Sequence, residues 1–69
     1  MKYDVVQKVN GNLVIKSTWV DNPSGARKAF HDTCSSLEAD PETTSYVVAI
    51  LDDNLDVFEG KKEFINKNA

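Results

Sequence analysis

The sequence predicts an α+β fold in the order ββαββ, with one helix packed on one face of an antiparallel sheet of two hairpins. Apolar and polar residues alternate on both sides of a turn sequence within residues 3–20, as in a β-hairpin. A stretch with helical spacing follows, and a short β-branched run then leads to a second turn and a returning strand. The 69 residues are predicted to form one small α+β domain, 1–69, because a chain of this length has no room for a second core.

The first hairpin is predicted to turn at residues 10–12, Asn-Gly-Asn, which tolerate the positive φ angles of tight turns. We predict a three-residue loop, because a two-residue loop would scatter the apolar residues over both faces of the hairpin. The three-residue loop pairs Val9 with Leu13, Gln7 with Ile15, Val5 with Ser17 and Tyr3 with Trp19. The opposite face then carries Asp4, Lys8, Lys16 and Thr18.

The helix is predicted to begin at residues 21–23, Asp-Asn-Pro, where Asp or Asn caps the helix and proline occupies its first position. It ends at Asp40, because a residue before proline avoids the helical region, which gives about 17 residues. Gly25 is a weak point in the first turn. The apolar stripe of the helix consists of Ala26, Phe30, Thr33, Cys34 and Leu37.

The second hairpin begins with the apolar run 46–51, which predicts a strand buried on both faces. We predict a two-residue turn at residues 53–54 and a returning strand over 55–58. Gly60 breaks or bulges that strand, and residues 61–66 either extend it or form a short terminal helix. The sequence leaves open the order of the strands in the sheet, and also whether a dimer exchanges a hairpin.

One face of this sheet is predicted to stay uncovered, because a single helix covers only the other face. The two-residue turn directs Tyr46, Val48, Ile50, Leu55 and Val57 toward the helix. The uncovered face then carries an apolar strip of Val47, Ala49, Leu51 and Phe58, extended by Val6 and Val14. We predict that this strip contacts another copy of the chain or a different protein. The alternative is an incidental scatter of exposed aliphatic residues.

Composition and charge exclude several classes of function. The chain has 8 Lys and Arg against 11 Asp and Glu, a net charge of −3, which argues against direct nucleic-acid binding. No apolar run approaches the ~20 residues of a membrane span, and the first residues do not resemble a secretory signal. The single Cys34 cannot form an internal disulfide and fits a reducing compartment. We therefore expect a cytoplasmic protein without a membrane segment.

The acidic second turn, together with Glu63 downstream, offers a candidate metal site. Asp52, Asn54, Asp56 and Glu63 fall at positions 1, 3, 5 and 12 of a calcium-binding loop. Position 6 should be glycine and is Val57, and the preceding segment reads as a strand rather than a helix. Since Asp and Asn also satisfy turn backbone groups, we expect a polar turn with no metal and no cofactor.

The candidates for other chemistry have simpler structural interpretations. His31 and Cys34 lie one helical turn apart, but Cys34 faces inward and His31 outward, so we expect no catalytic pair. Trp19 could stack on a base or sugar. It lies at the end of the inward-facing apolar row of the first hairpin, however, and this favours a position in which its ring covers the core. The adjacent Arg27 and Lys28 could contact an acidic partner and are interpreted as solvated. We expect no catalytic residue and no enzyme activity.

Several segments carry a resemblance: Met1-Lys2-Tyr3-Asp4-Val5, Asn10-Gly11-Asn12-Leu13, Ala29-Phe30-His31, Asp52 to Asp56, and Glu59-Gly60-Lys61-Lys62-Glu63-Phe64-Ile65. Over nearly its whole length the chain resembles short uncharacterised proteins of mobile genetic elements in gut-associated Gram-positive bacteria. None of these segments is a chemical motif. The resemblance therefore implies a cytosolic bacterial accessory protein and no mechanism.

Together these features predict a non-enzymatic interaction protein that forms a homodimer through its sheet. A dimer would supply the stability that a short chain with a small core lacks. The alternative function is a regulator that acts on nucleic acid or on a nucleic-acid-binding protein.

Overall fold

The computed structural model describes residues 1–67, which form four strands and one helix. The elements are β1 (Lys2–Val9), β2 (Asn12–Val20), α1 (Pro23–Ala39), β3 (Ser45–Leu51) and β4 (Val57–Asn66). All neighbouring strands are antiparallel, and the sheet order is β2-β1-β3-β4, which places the two hairpins side by side. Helix α1 packs on one face of this sheet, so the predicted α+β fold in the order ββαββ is confirmed. Within residues 1–67, no helix is both long and apolar enough to cross a membrane.

Helix α1 begins and ends where the sequence predicts. The side-chain oxygen of Asn22 accepts a hydrogen bond from the backbone N–H of Gly25 at 2.9 Å, which satisfies one free donor of the first turn. Pro23 occupies the first helical position. At the other end Asp40 is extended, as expected for a residue that precedes Pro41.

The C-terminal end of α1 is bound by Lys67, the residue that follows β4. Its last turn contains no basic residue that could interact with the free carbonyl groups. The ammonium group of Lys67 instead donates hydrogen bonds to the carbonyl oxygens of Leu37 at 2.9 Å, Glu38 at 3.0 Å and Asp40 at 2.9 Å. The residue that follows β4 therefore fastens the end of the helix to the sheet.

The core lies between α1 and the helix-facing side of the sheet. Its buried residues are Tyr3, Val5, Ala26, Phe30, Cys34, Tyr46, Val48 and Ile50. Val5, Val48 and Ile50 are 0% exposed and come from the two central strands. Trp19 packs at the margin of this core, and its indole N–H donates to the hydroxyl of Ser17 at 2.9 Å. Trp19 thus covers the core, as predicted.

The first hairpin turns over two residues rather than the predicted three. Asn10 and Gly11 have φ angles of 50° and 90°, the left-handed conformation that two-residue hairpin turns require. The pairs next to the turn are Val9 with Asn12, Lys8 with Leu13, Gln7 with Val14 and Val6 with Ile15. The predicted pairs of Val9 with Leu13 and of Gln7 with Ile15 are therefore wrong.

A bulge at Lys16 restores the predicted register in the rest of this hairpin. Val6 pairs with Ile15 and Val5 pairs with Ser17, so Lys16 has no partner in the ladder. Beyond the bulge, the pairs Val5 with Ser17 and Tyr3 with Trp19 are the predicted ones. The bulge lets Trp19 face the helix while Leu13 and Ile15 face the other side, because side chains alternate along a strand.

The second hairpin has a longer turn than predicted. Leu51 pairs with Val57, so the connection comprises residues 52–56 rather than residues 53–54 alone. One carboxylate oxygen of Asp52 accepts hydrogen bonds from the backbone N–H groups of Asn54 at 2.9 Å and Asp56 at 3.0 Å. Leu55 lies in this turn with a φ of 64° and is 75% exposed, so its predicted position under the helix is wrong.

Strand β4 contains a large bulge, in which four of its residues lie opposite a single residue of β3. Ala49 pairs with Lys62 and Leu51 with Val57, so Ile50 alone lies opposite residues 58–61. Glu59 and Gly60 have positive φ angles of 54° and 67° within the bulge. The strand then continues to Asn66, so residues 61–66 extend it and form no terminal helix.

Val57 and Phe58 consequently exchange the sides that the sequence predicts for them. Val57 pairs with Leu51 and faces away from the helix. Phe58 packs against the core, with its ring 4.6 Å from the ring of Tyr3. The prediction that Phe58 belongs to the uncovered strip is therefore wrong.

Candidate functional site

The side of the sheet that faces away from α1 is called the open face. Residues directly opposite each other on neighbouring strands point to the same side, and residues next to them in sequence point to the other side. The register therefore assigns to the open face Lys2, Asp4, Val6, Lys8, Leu13, Ile15, Thr18, Val20, Ser45, Val47, Ala49, Leu51, Val57, Lys62, Phe64 and Asn66. No helix of the described chain covers it.

Apolar side chains concentrate in the centre of the open face. Two adjacent rows cross the sheet from β2 to β4: Ile15, Val6, Ala49 and Lys62, then Leu13, Lys8, Val47 and Phe64. We call the six apolar members of these rows, Val6, Leu13, Ile15, Val47, Ala49 and Phe64, the apolar patch. Its three largest exposed side chains, Leu13, Ile15 and Phe64, are 70%, 63% and 62% exposed. A continuous apolar area of this kind marks an interaction surface more often than a scatter of single residues does.

The structure brings together three of the four predicted interface residues. Val47, Ala49 and Leu51 lie on the open face, and Ala49 is only 6% exposed because it lies low between its neighbours on a central strand. Phe58 lies on the helix side, as described above. Val14 pairs with Gln7 and also points to the helix side, so the predicted extension of the strip by Val14 is wrong.

Leu13, Ile15 and Phe64 belong to the apolar patch although the sequence interpretation did not place them there. The adjacent Asn10 and Gly11 are the strongest short signal for a two-residue hairpin turn, and that turn alone places Leu13 and Ile15 on the open face. Phe64 follows Lys62 by two residues, a spacing that assigns the two side chains to one face once residues 61–66 are recognised as a strand.

An open groove between α1 and the outer strand β4 contains the residues considered for catalysis. It measures about 560 Å³ and is lined in part by His31, Cys34, Glu38, Tyr46 and Glu63. The hydroxyl of Tyr46 donates to the carboxylate of Glu38 at 3.2 Å. His31 is exposed and its ring lies edge-on to Phe30.

The protonation of Cys34 is set by its surroundings in this groove. Burial, together with the nearby carboxylate of Glu63, raises the pKa of the thiol to about 12. The thiol is therefore protonated at neutral pH, and the protonated form is a poor nucleophile. Its burial among the core residues supports the interpretation of Cys34 as a small apolar core residue.

The raised pKa values predict a loss of stability at alkaline pH. Burial raises the pKa of both Cys34 and Tyr46 to about 12, against about 8.5 and 10 in an unfolded chain. The unfolded chain therefore releases these protons first, and the free energy of unfolding falls as the pH rises from 8.5 through 12. Urea unfolding at a series of pH values measures this fall. The double variant Cys34→Ala/Tyr46→Phe should show a flatter profile, and an equally steep one would contradict the assignment.

The acidic turn satisfies backbone groups. Asp52 accepts two backbone N–H groups of the turn, and Asp53 accepts the backbone N–H of Lys2 at 3.1 Å. Within residues 1–67, His, Cys, Asp and Glu side chains form no group of three or more that could hold a metal ion. The geometry of Asp52 is that of a turn residue that caps its own loop.

The two adjacent cations of α1 are both engaged by carboxylates. The guanidinium of Arg27 binds the carboxylate of Glu59 in a bidentate arrangement, at 2.5 and 2.9 Å, and lies 5.7 Å from the centre of the Phe58 ring. Lys28 binds Asp32 one turn further along the helix at 2.7 Å. The hydrogen bond to Glu59 raises the pKa of Arg27, and the one to Asp32 raises that of Lys28. These two cations are thus paired within the molecule.

Comparison with protein-family models finds no match, and searches of curated proteins and of solved structures find none either. The resemblance to proteins of mobile genetic elements therefore stays a prediction. The geometry of the open face is the observation on which a function can be proposed.

Proposed function

We propose that the protein is a non-enzymatic interaction protein of the cytoplasm that forms a homodimer by stacking the open faces of two copies. The observation that carries this proposal is the apolar patch in the centre of the open face. Stacking two such faces would bury the patch from both sides and produce four layers, helix, sheet, sheet and helix. Layered packing of sheets about 10 Å apart is a common way to bury such faces.

The small core of the monomer supports the same proposal. One helix and one side of the sheet supply all the buried residues of the core cluster. A domain of this size buries only about 60% of its unfolded surface, so a further apolar contact adds substantially to its stability. A second copy is the simplest source of that contact, since two-fold dimers are the commonest assemblies of soluble chains.

The test is sedimentation equilibrium over a wide concentration range, with variants of the apolar patch. We expect the wild-type chain to be a dimer, and Leu13→Glu and Phe64→Glu each to raise the dimer Kd by about a hundredfold or more. Burial of one such side chain contributes about 1.5–3 kcal/mol, and each change occurs twice in the dimer. Both residues are highly exposed in the monomer, so neither change should disturb the fold.

Leu55→Glu is the matched control for these variants. Leu55 is 75% exposed and lies in the turn outside the open face, so the same change of chemistry there should leave the Kd unchanged. A wild-type chain that remains monomeric at the highest concentrations would contradict the proposal.

The alternative, a regulator that acts on nucleic acid or on a nucleic-acid-binding protein, gains no comparable support. Nucleic-acid binding needs cations that are free to replace counterions on phosphate groups. The adjacent pair Arg27 and Lys28 instead binds Glu59 and Asp32.

A further inference from the structure

We propose, resting on the homodimer proposed above, that its two-fold axis runs across the strands through the row of Val6. In this arrangement Asp4 of each copy forms an ion pair with Lys8 of the other. The proposal assigns a function to two charged residues that take part in no ion pair within residues 1–67.

Asp4 and Lys8 lie symmetrically about Val6, the residue through which the proposed axis passes. Both lie on the open face of the central strand β1, each two residues from Val6. The ion pairs among residues 1–67 involve Asp21, Glu59 and Asp32 as acids, so Asp4 and Lys8 belong to none of them. The hydroxyl of Thr18 donates to the carboxylate of Asp4 at 2.7 Å and holds it in place.

The cross-strand register determines which residues of one copy lie over which residues of the other. An axis across the strands places each strand antiparallel over its own copy and reverses the order of the rows. The row on one side of Val6 contains Thr18, Asp4, Leu51 and Val57, and the row on the other side contains Leu13, Lys8, Val47 and Phe64. In the dimer the first row of each copy lies over the second row of the other. The four pairs are then Asp4 with Lys8, Leu51 with Val47, Val57 with Phe64 and Thr18 with Leu13. Each member of the Val6 row meets its own copy, so the two Lys62 side chains lie opposite each other.

An axis parallel to the strands gives a poorer match. It keeps the rows in place and puts β1 of one copy over β3 of the other, so Asp4 would meet Leu51 and Lys8 would meet Val47. Each charge would then be desolvated against an aliphatic side chain without a partner, which is unfavourable. Opposite charges in an interface fix its register even where they add little affinity. The two Lys62 residues that face each other across the proposed axis both lie on the outer strand β4, where their long side chains can turn apart into solvent.

Exchange of the two charges tests this arrangement. Asp4→Lys gives a chain with two lysines at these positions, and Lys8→Asp gives one with two aspartates, so like charges meet in each homodimer. We expect each variant alone to raise the dimer Kd at least tenfold, as measured by sedimentation equilibrium. An equimolar mixture of the two should form a heterodimer, with Kd within threefold of wild type and a mass resolved by native mass spectrometry.

Two further variants keep the test decisive. The double variant Asp4→Lys/Lys8→Asp should again form a homodimer, which excludes misfolding as the cause of dissociation. Lys2→Asp makes the same charge change on the same strand but four residues from Val6, and it should leave the Kd within threefold of wild type. A mixture that dimerises no better than its components, with a dimeric wild type, would overturn the arrangement and leave the proposed dimer intact. A monomeric wild type would overturn both.

Discussion

Ile50→Ala is expected to remove most of the stability of the protein. Ile50 is 0% exposed and lies on a central strand under α1. Truncation of such a side chain costs about 2–5 kcal/mol, because apolar burial is lost and a cavity remains. A domain of this length has a total free energy of unfolding of about 3–10 kcal/mol. Urea unfolding followed by circular dichroism should therefore show a largely unfolded variant or a midpoint at very low urea.

A graded series at fixed protein concentration tests the cause of this effect. Ile50→Val removes one methyl group and should cost about 0.5–1.5 kcal/mol. Leu55→Ala removes more apolar volume from an exposed turn and should change stability by less than about 0.5 kcal/mol. Equal losses for Ile50→Ala and Leu55→Ala would show that burial under the helix does not govern stability. The concentration is held constant because dimer formation adds to apparent stability.

Gly25→Ala is expected to destabilise the protein although alanine is the better helix former. A Cβ atom at this position would lie 2.5 Å from Cε3 and 2.7 Å from Cζ3 of Trp19, and 2.7 Å from the amide nitrogen of Asn22. The change therefore pushes the tryptophan out of its packing and disturbs the helix cap. Overpacking typically costs about 1–3 kcal/mol, against about 1 kcal/mol gained in helix propensity.

The clash with Trp19 makes this prediction testable by a double-mutant cycle. In a Trp19→Leu background the clash with the indole ring is relieved while the close contact with Asn22 remains, so Gly25→Ala should cost clearly less than in the wild-type background. Ser24→Ala, at the exposed neighbouring position, is the control for helix propensity alone. A Gly25→Ala variant that is more stable than wild type would show that Trp19 moves aside without cost.

The elements of the fold were predictable because local chemistry specifies them. Asn22 and Pro23 determine where α1 begins, Pro41 determines where it ends, and the apolar run 46–51 belongs to a strand covered on the helix side. From the sequence alone, Gly25 is predicted to weaken the first turn of the helix. Its actual role is to accommodate Trp19, a contact between two elements that no local rule reveals.

The composition of the open face was only partly predictable, because it depends on irregularities of the strands. The face of every residue in β2 depends on the two-residue turn and on the unpaired Lys16. In β4 the face of each residue depends on the large bulge at residues 58–61, which places Phe58 against the core. Since a shift of one residue moves a side chain to the other face, small errors in turn length invert the predicted surface.

The two bulges have a further consequence for how the chain behaves at high concentration. Both outer strands, β2 and β4, are interrupted, whereas the ladder between the central strands β1 and β3 runs without a shift. A long regular outer strand offers a template on which other molecules add strands, and continued addition leads to fibrils. Bulges on both outer strands disfavour such lateral addition, because they twist the edge away from a regular partner strand. They therefore favour a discrete particle over a fibril in a molecule that carries a β-rich apolar surface.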